Sequence, residues 1–472
     1  MNNNVLPSKQ RNSSIELLRI ISMVMIMFYH FSIHGHFDFA TASVSVSRLW
    51  LNFISMGGKI GVDLFVLISG YYLISDTKSL NFKKILKLWG QVFFYSVVIY
   101  VLTCAFKISQ FSFTDLIKCI FPITFSQWWF ASTYFVLYFL HPFINKFLCS
   151  ISKKAYQSLL LLLIVFWSVI PTLTATKFES NSLLWFMLLY AISGYIKLYG
   201  LNPKIKNNQY VIIFAVVSIL TYLSGIAITV AGVKFKSVAS HFTYFYNQEK
   251  INVLIICVSL FMIFINLKMN YHKWINIIAS ASFGVYLIHD DNFLRTFIWK
   301  DLFNVSSFEG SAVVIPYSIA VIITLYAVCT AIDLIRQKVA EKPYLIIVDK
   351  LSQPVCNKVK KVTDCIKKIF FKIKLIKINL KVIFMKLKNG IVTNSIDGES
   401  FAIATGEATK EFNGLIKNNP TAAFIFELLK TEQTPDSIVK AMTDKYDVDE
   451  ATARADVNEL LNLLKSKNII EE

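Results

Sequence analysis

The sequence predicts an all-α polytopic membrane protein with about ten transmembrane helices, followed by a small cytoplasmic winged-helix-like α+β domain. Of its 472 residues, 55% are hydrophobic and only 17% are charged, and 40 are phenylalanine. Apolar runs of about twenty residues, the length that an α-helix needs to cross a bilayer, follow one another up to residue 335. The seven cysteines lack the spacing of a disulfide framework or a zinc site.

Each predicted span is an apolar segment bounded by polar or charged residues. The ten predicted spans are residues 17–36, 50–74, 88–107, 128–148, 157–175, 181–199, 210–232, 250–267, 276–296 and 312–335. Lysines concentrate in every second loop, beginning with the loop that holds Lys83, Lys84 and Lys87. The positive-inside rule therefore predicts that the N-terminus and the C-terminal part both lie in the cytoplasm.

The first span carries an arginine near one end and a histidine well inside it. Arg19 and His30 are eleven residues apart, which places both side chains on one helical face, about 16 Å apart along the axis. Arg19 then reaches the cytoplasmic headgroups, and His30 lies in the outer half of the membrane, where an ionisable group needs a partner or a task. A snorkelling arginine and a structural histidine remain the alternative. His34 lies one turn beyond His30, but no third ligand is spaced to complete a metal site, so we expect no metal.

The second span is predicted to pack closely against another helix and to bring a carboxylate near His30. Gly57 and Gly61 form a GxxxG step, which lets a neighbouring helix approach. Asp63 lies in the outer half of this span, where it can orient the imidazole and raise its basicity. The alternative is a water-facing Asp63 paired with Lys59.

The ninth span and the start of the fourth supply further candidates for substrate contacts. His289, Asp290 and Asp291 end the ninth span near the outer surface, where they can hold a sugar or orient His30. An interfacial cap on the span is the alternative for this cluster. Trp129 opens the fourth span, where an aromatic side chain suits a sugar ring but also an aromatic belt.

Three motifs together resemble the acyltransferase 3 family of integral membrane acyltransferases. They are Arg19 and His30 separated by ten residues, the segment GVDLFVLISGYYL in the second span, and the late segment SFGVYLIHDDNFLR, which contains Tyr286 and His289. The resemblance covers about residues 12–340, and the number and orientation of the spans agree with it. Two features depart from the family pattern: Val66 replaces the second phenylalanine, and lysines replace the arginines that often follow the second span.

The resemblance implies transfer of an acyl group, commonly acetyl, from cytoplasmic acyl-CoA to a hydroxyl of an envelope or exported glycan at the bacterial inner membrane. His30 would act as general base or as a covalent acyl relay, with Asp63 and His289 as the other candidate catalytic residues. Cationic side chains at the cytoplasmic face would bind the phosphates of acyl-CoA. These cations are Arg19, Lys83, Lys84 and Lys87. The candidate glycan-binding residues are Tyr286, Asp290, Asp291 and Trp129.

The composition divides the chain into a membrane domain (1–337), a connector (338–388) and a small domain (389–472). From Arg336 to Lys388 there are fifteen basic and three acidic residues, with apolar residues at helical spacing. Because lysines flank the apolar stripe, a basic amphipathic helix on the anionic membrane surface is favoured over a coiled coil.

The charge reverses in the small domain, which has fifteen acidic and eight basic residues from Gly390 onward. A β-like opening with an Asp397-Gly398 turn precedes three helical stretches, and Thr434 with Pro435 is typical of a helix start. The pattern resembles the pyrroloquinoline quinone synthesis protein D (PqqD) family, which implies a winged-helix-like module that binds a peptide or protein. Its acidic charge argues against binding to nucleic acid.

Two other functions remain open from the sequence. The first is acylation of a peptide-derived product that the C-terminal domain recruits. The second is an exporter without chemistry, although the chain shows no clear internal repeat of the kind that transporters carry.

Overall fold

The computed structural model describes residues 11–39, 44–76, 80–239, 241–348, 384–396 and 399–471. The chain divides into two compact units, residues 1–354 and 355–472. Helices build the first unit, and helices with short strands build the second. Each unit is described by itself.

The first two helices, α1 (Ser13–His34) and α2 (Val46–Leu73), form the closest helix pair of the first unit. A Cβ atom at Gly58 would lie 2.2 Å from Tyr29 Cγ, and one at Gly61 would lie 2.5 Å from a backbone oxygen of α1. Only glycine allows two backbones to approach this closely. The close approach predicted from the GxxxG step is therefore confirmed, with α1 as the partner helix.

The rest of the first unit is a succession of helices joined by short loops. They are α3 (Phe82–Ala105), α4 (Phe113–Ile120), α5 (Trp129–Ser150), α6 (Lys153–Ile164), α7 (Ile170–Thr174), α8 (Ser182–Tyr199), α9 (Asn207–Lys234), α10 (Lys236–Ala239), α11 (Ile251–Asn266), α12 (Lys273–His289) and α13 (Val314–Arg336). A π-helical turn, Val165–Val169, joins α6 to α7, and another, Gln337–Glu341, extends α13. The short helix α4 was not predicted.

Eight stretches of helix in the described residues are long and apolar enough to cross a membrane. They correspond to eight predicted spans, and the other two, 128–148 and 276–296, correspond to α5 and α12. The count of ten spans stays a prediction. The end at residue 296 is wrong, because α12 stops at His289 and the chain turns there.

Burial separates central helices from peripheral ones. Within its most apolar window, 78% of α2 is buried, whereas only 11% of α9 is buried although α9 is the more apolar helix. An apolar surface turned outward is stable when lipid covers it. The arrangement therefore fits a bundle with α2 at its centre and α9 against lipid.

A buried ionic network fixes α12 against its neighbours. A Cβ atom at Gly284 would lie 2.1 Å from Asp333 Oδ1, so this glycine lets α12 pack directly on α13. Asp333 Oδ1 accepts hydrogen bonds from Arg336 Nε at 2.8 Å and from the Tyr95 hydroxyl at 2.8 Å. The hydrogen bonds join α3 to α13, and Gly284 packs on Asp333, so the network supports the helix that carries His289.

The second unit contains short antiparallel strands and three helices. The strands β2 (Ile391–Ile396), β3 (Glu399–Ala404) and β4 (Leu415–Asn418) form one sheet in that order, and β1 (Lys386–Leu387) pairs with β5 (Ile470–Glu471). The helices are α14 (Pro420–Leu428), α15 (Pro435–Lys445) and α16 (Glu450–Ser466). The predicted order of β-like opening and three helices is confirmed, whereas β1, β4 and β5 were not predicted.

Two predictions concern residues that the structure does not describe. The Asp397-Gly398 turn lies outside the described residues, and so does most of the connector, of which residues 349–383 are not described.

The predicted helix start at Thr434 is confirmed: its hydroxyl accepts the backbone N–H of Ser437, and Pro435 begins α15.

Candidate active site

The helices α1 and α12 bring two histidines into direct contact. His30 Nδ1 lies 2.9 Å from His289 Nε2, although the residues are far apart in the sequence. His30 is 8% exposed and His289 is fully buried. The structure thus joins two of the three predicted catalytic residues.

The hydrogen bonds of this pair fix the tautomer of each ring. His289 Nδ1 lies 2.6 Å from the Val285 carbonyl oxygen, which can only accept, so Nδ1 carries the proton. In the neutral ring, Nε2 of His289 is then an acceptor, and it takes its hydrogen bond from His30 Nδ1–H. His30 Nε2 is left with a free lone pair. This atom is the candidate base.

A carboxylate from the turn after α12 faces both His30 and His34. Asp290 Oδ1 lies 3.7 Å from His30 Nδ1, 3.4 Å from His34 Nε2 and 3.5 Å from Arg295 Nη1. A negative charge at this distance stabilises an imidazolium formed when His30 takes a proton. Asp290, predicted as a substrate contact, therefore lies where an orienting carboxylate was expected.

Asp63 does not occupy that position, which corrects the prediction that it orients His30. Its Oδ1 accepts a hydrogen bond from Trp185 Nε1 at 3.0 Å. On α2 it is Gly58, Lys59 and Val62 that line the cavity beside His30. The hydrogen bond to Trp185 therefore turns the Asp63 carboxylate toward α8, although Asp63 lies one helical turn after Lys59.

His30 opens into a cavity of about 180 Å³, called here the histidine cavity. Among the predicted substrate residues, Tyr286, Asp290 and Trp129 line it. The Tyr286 hydroxyl is buried and has no hydrogen-bond partner among the described residues, so it is available to a substrate. Asp291 is placed differently: its carboxylate accepts the backbone N–H groups of the turn at 293–294.

A second cavity, of about 230 Å³ and called here the arginine cavity, contains Arg19. Ser69, Tyr134 and Ser280 also line it. The two cavities share three phenylalanines in their walls, called here the phenylalanine partition: Phe65, Phe130 and Phe283. The cavities are therefore neighbours, with the two ends of the Arg-x10-His motif on either side of the partition.

The predicted lysines lie apart from Arg19. Lys87 Nζ is 2.6 Å from a Glu341 oxygen and lines a different, apolar cavity. Lys84 Nζ is 3.9 Å from an Asp76 oxygen. None of the residues described as lining the arginine cavity is Lys83, Lys84 or Lys87. Their contact with acyl-CoA stays a prediction.

The structure supplies a third ligand for the histidine pair of α1. The ligand atoms of His30, His34 and Asp290 all lie within 4.8 Å of one another, a set with the chemistry of a zinc site. The expectation that no third ligand exists was wrong, because Asp290 comes from a segment distant in the sequence.

Other residues of the histidine cavity carried no role in the sequence-based prediction. Lys59 and Arg295 place two positive charges at its wall, and Phe65 and Phe283 separate it from the arginine cavity. A lysine inside an apolar span is itself a sign of function, and this sign pointed to Lys59. No comparable feature of the sequence indicated that these phenylalanines lie between the two cavities.

Comparison with known families agrees with both resemblances. The model of the acyltransferase domain family, Acyl_transf_3, matches residues 12–334. The model of the coenzyme PQQ synthesis protein D family, PqqD, matches residues 405–470. No curated protein and no solved structure matches the chain significantly.

Proposed function

The chain belongs to the Acyl_transf_3 family of acyltransferases, and on this premise we propose that it moves an acyl group across the bacterial inner membrane. The donor is cytoplasmic acyl-CoA, in particular acetyl-CoA, and the acceptor is a hydroxyl of an envelope or exported glycan. Both termini lie in the cytoplasm in this proposal, as the positive-inside rule requires.

One observation carries the proposal. The hydrogen bonds from His30 to His289 and from His289 to the Val285 carbonyl leave a free lone pair on His30 Nε2. A sugar hydroxyl is a poor nucleophile near neutral pH and needs such a base. Tyr286 and Trp129 in the same cavity provide a hydroxyl and an aromatic face for a sugar.

The chemistry is a displacement at the thioester carbonyl. His30 Nε2 takes the proton of the acceptor hydroxyl while the oxygen bonds to the acyl carbon, and the carbon–sulfur bond then breaks to release CoA. Asp290 stabilises the imidazolium through its charge, at 3.7 Å from His30 Nδ1. No metal takes part in this route, so a chelator should leave transfer unchanged.

The donor enters from the side of Arg19. CoA is strongly anionic, and Arg19 in the arginine cavity, with Lys83, Lys84 and Lys87 at the start of α3, offers cations for its phosphates. The acyl group then reaches the histidine cavity past the phenylalanine partition. This route explains why the arginine and the histidine of the motif lie on opposite sides of that partition.

The test is acyl transfer in membranes that contain wild type or His30→Ala, with labelled acetyl-CoA and extracted surface glycan. We expect the variant to lose about 10²- to 10⁴-fold in rate, the share that a general base supplies. The matched control is His36→Ala, because His36 is exposed and follows the end of α1. Undiminished labelling of glycan in His30→Ala would contradict the proposal.

The same assay distinguishes the alternative mechanism and the alternative functions. Label that stays bound to wild-type protein when no acceptor is present indicates a covalent His30 relay rather than direct base catalysis. Absence of label in glycan from both proteins favours a peptide-derived acceptor or an exporter. The peptide-derived acceptor is the second candidate, because residues 405–470 match the PqqD family.

A further inference from the structure

We propose that Lys59 stabilises the oxyanion that forms on the acyl carbonyl during transfer, an inference that rests on the proposed function. Lys59 lies on α2, one turn before Asp63, and lines the histidine cavity together with His30. The packing of Gly58 against Tyr29 brings this part of α2 beside the end of α1 that carries the base.

The ammonium of Lys59 contacts aromatic rings, whereas the carboxylates that act on it through their charge, Asp63, Glu249 and Asp290, lie beyond ion-pair distance. Lys59 Nζ lies 5.6 Å from the ring centroid of Tyr29 and 5.1 Å from that of Trp129. Among the described residues, no carboxylate oxygen lies within the ion-pair distance of 4.0 Å from Lys59 Nζ. Arg295, the other cation of this cavity, differs in having Asp290 at 3.5 Å.

Such an ammonium is costly to keep in an apolar cavity unless an anion visits it. Aromatic ring faces compensate part of the hydration that the ammonium loses. They are weaker acceptors than oxygen atoms for its three N–H groups. In a site of low dielectric, a fixed cation that contacts no carboxylate directly stabilises a nearby negative charge far more strongly than it would in water. The geometry thus favours an anion that is present only during the reaction.

The reaction supplies that anion. When the acceptor oxygen bonds to the acyl carbon, the π electrons of the carbonyl move onto its oxygen, and the acceptor proton passes to His30 Nε2. The electron pair then returns to carbon, the carbon–sulfur bond breaks, and CoA leaves as the thiolate. Lys59 donates to the oxygen while it carries the charge.

A second free donor faces the same space. The Tyr286 hydroxyl is buried, lines the histidine cavity and has no partner among the described residues. Lys59 and Tyr286 both line the histidine cavity, so both donors face the space in which the proposed function places the acyl carbonyl. Lys59 and Tyr286 thus provide two hydrogen-bond donors for the oxyanion, and His30 provides the base.

The experiment measures kcat and the acceptor KM of Lys59→Met, which keeps the length of the side chain and removes its charge. We expect kcat to fall about 10²- to 10³-fold with little change in KM, because the oxyanion exists only in the transition state. Lys59→Arg, which keeps a positive charge, should lie between wild type and Lys59→Met. If the Met variant does not accumulate in membranes, Lys59→Gln and Lys59→Arg carry the same comparison.

The control is Lys197→Met on α8. Lys197 Nζ also lies over an aromatic ring, 4.5 Å from the centroid of Tyr71, and it lines neither of the two cavities. A raised KM with unchanged kcat in Lys59→Met would overturn the inference and show that Lys59 binds an anionic group of the acceptor. Unchanged kinetics would overturn it as well. Loss of transfer in His30→Ala together with full activity in Lys59→Met would refute this inference alone.

Discussion

The two histidines act as a unit because their hydrogen bonds run in one direction. The Val285 carbonyl determines which nitrogen of His289 is protonated, and His289 in turn determines the tautomer of His30. The backbone oxygen cannot donate, so the direction cannot reverse while both rings are neutral. A main-chain atom of α12 thus sets the protonation pattern of His30, the proposed base on α1.

This coupling predicts that His289→Phe impairs the base although His30 is intact. Without an acceptor for its Nδ1–H, His30 is free to carry its proton on Nε2, where it cannot take one from a hydroxyl. We expect kcat to fall about 10²- to 10⁴-fold, the share of general base catalysis, with a smaller effect on acceptor KM.

The control for this variant is His272→Phe, since His272 lies exposed at the other end of α12. Equal kcat values for His289→Phe and wild type would show that His30 needs no help from its neighbour.

A site residue could be predicted from the sequence only where the helical spacing showed which face of its helix it occupies. Arg19 and His30 share a face because their spacing requires it, and the structure places both at cavities. Asp63 was misplaced because nothing in the sequence indicated its contact with Trp185 of α8, whose indole N–H donates to the Asp63 carboxylate. The position of Asp290 beside His30 was not predicted, because contacts between helices that are distant in the chain leave no periodic pattern in the sequence.

At the level of helices, glycines decide how closely the catalytic elements pack. Gly58 and Gly61 allow α1 to pack closely on α2, and Gly284 allows α12 to pack on Asp333 of α13. The predicted helices match the observed ones closely where a cap or a charged loop ends them. The prediction failed at residue 296, because the buried carboxylate of Asp291 holds a turn in a segment that is still partly apolar.

Gly61→Ala and Gly57→Ala form a matched pair that tests this packing. A Cβ at Gly61 would lie 2.5 Å from a backbone oxygen of Ser22, whereas one at Gly57 would lie 3.2 Å from Met25 Cβ, a contact that a small shift relieves. We expect Gly61→Ala to destabilise the protein by about 1–3 kcal/mol, as overpacking does, and Gly57→Ala to cost much less. Thermal unfolding in detergent measures the difference.

A result in which both variants unfold at the temperature of wild type would show that α1 and α2 can separate without loss. A larger effect for Gly57→Ala would place the tighter contact one helical turn earlier, against Met25.

The whole molecule couples a membrane acyltransferase to a domain of the PqqD type. From Gly390 onward the chain has fifteen acidic and eight basic residues, whereas the rest of the chain is strongly basic. The second unit has its own hydrophobic core around Phe426, Val457 and Leu464, so it is a separate folding unit in composition and in packing. It can therefore be removed without cutting into the core of the first unit.

Truncation after residue 388 distinguishes the two acceptors. If the acceptor is a glycan, the shortened protein should label it at a rate close to that of wild type. If the acceptor is a peptide-derived product brought by the C-terminal domain, labelling of that product should fall steeply. Measurements need equal amounts of both proteins in the membrane, with His30→Ala as the inactive reference.

The phenylalanine partition has a consequence for the energised state of the membrane. An enzyme that takes its donor from one side and its acceptor from the other risks opening a path for protons and ions between them. Phe65, Phe130 and Phe283 separate the two cavities with apolar rings that offer no hydrogen bonds to a water chain. In the proposed reaction, a small acyl group passes between these rings, so we expect transfer to proceed while the proton gradient is kept.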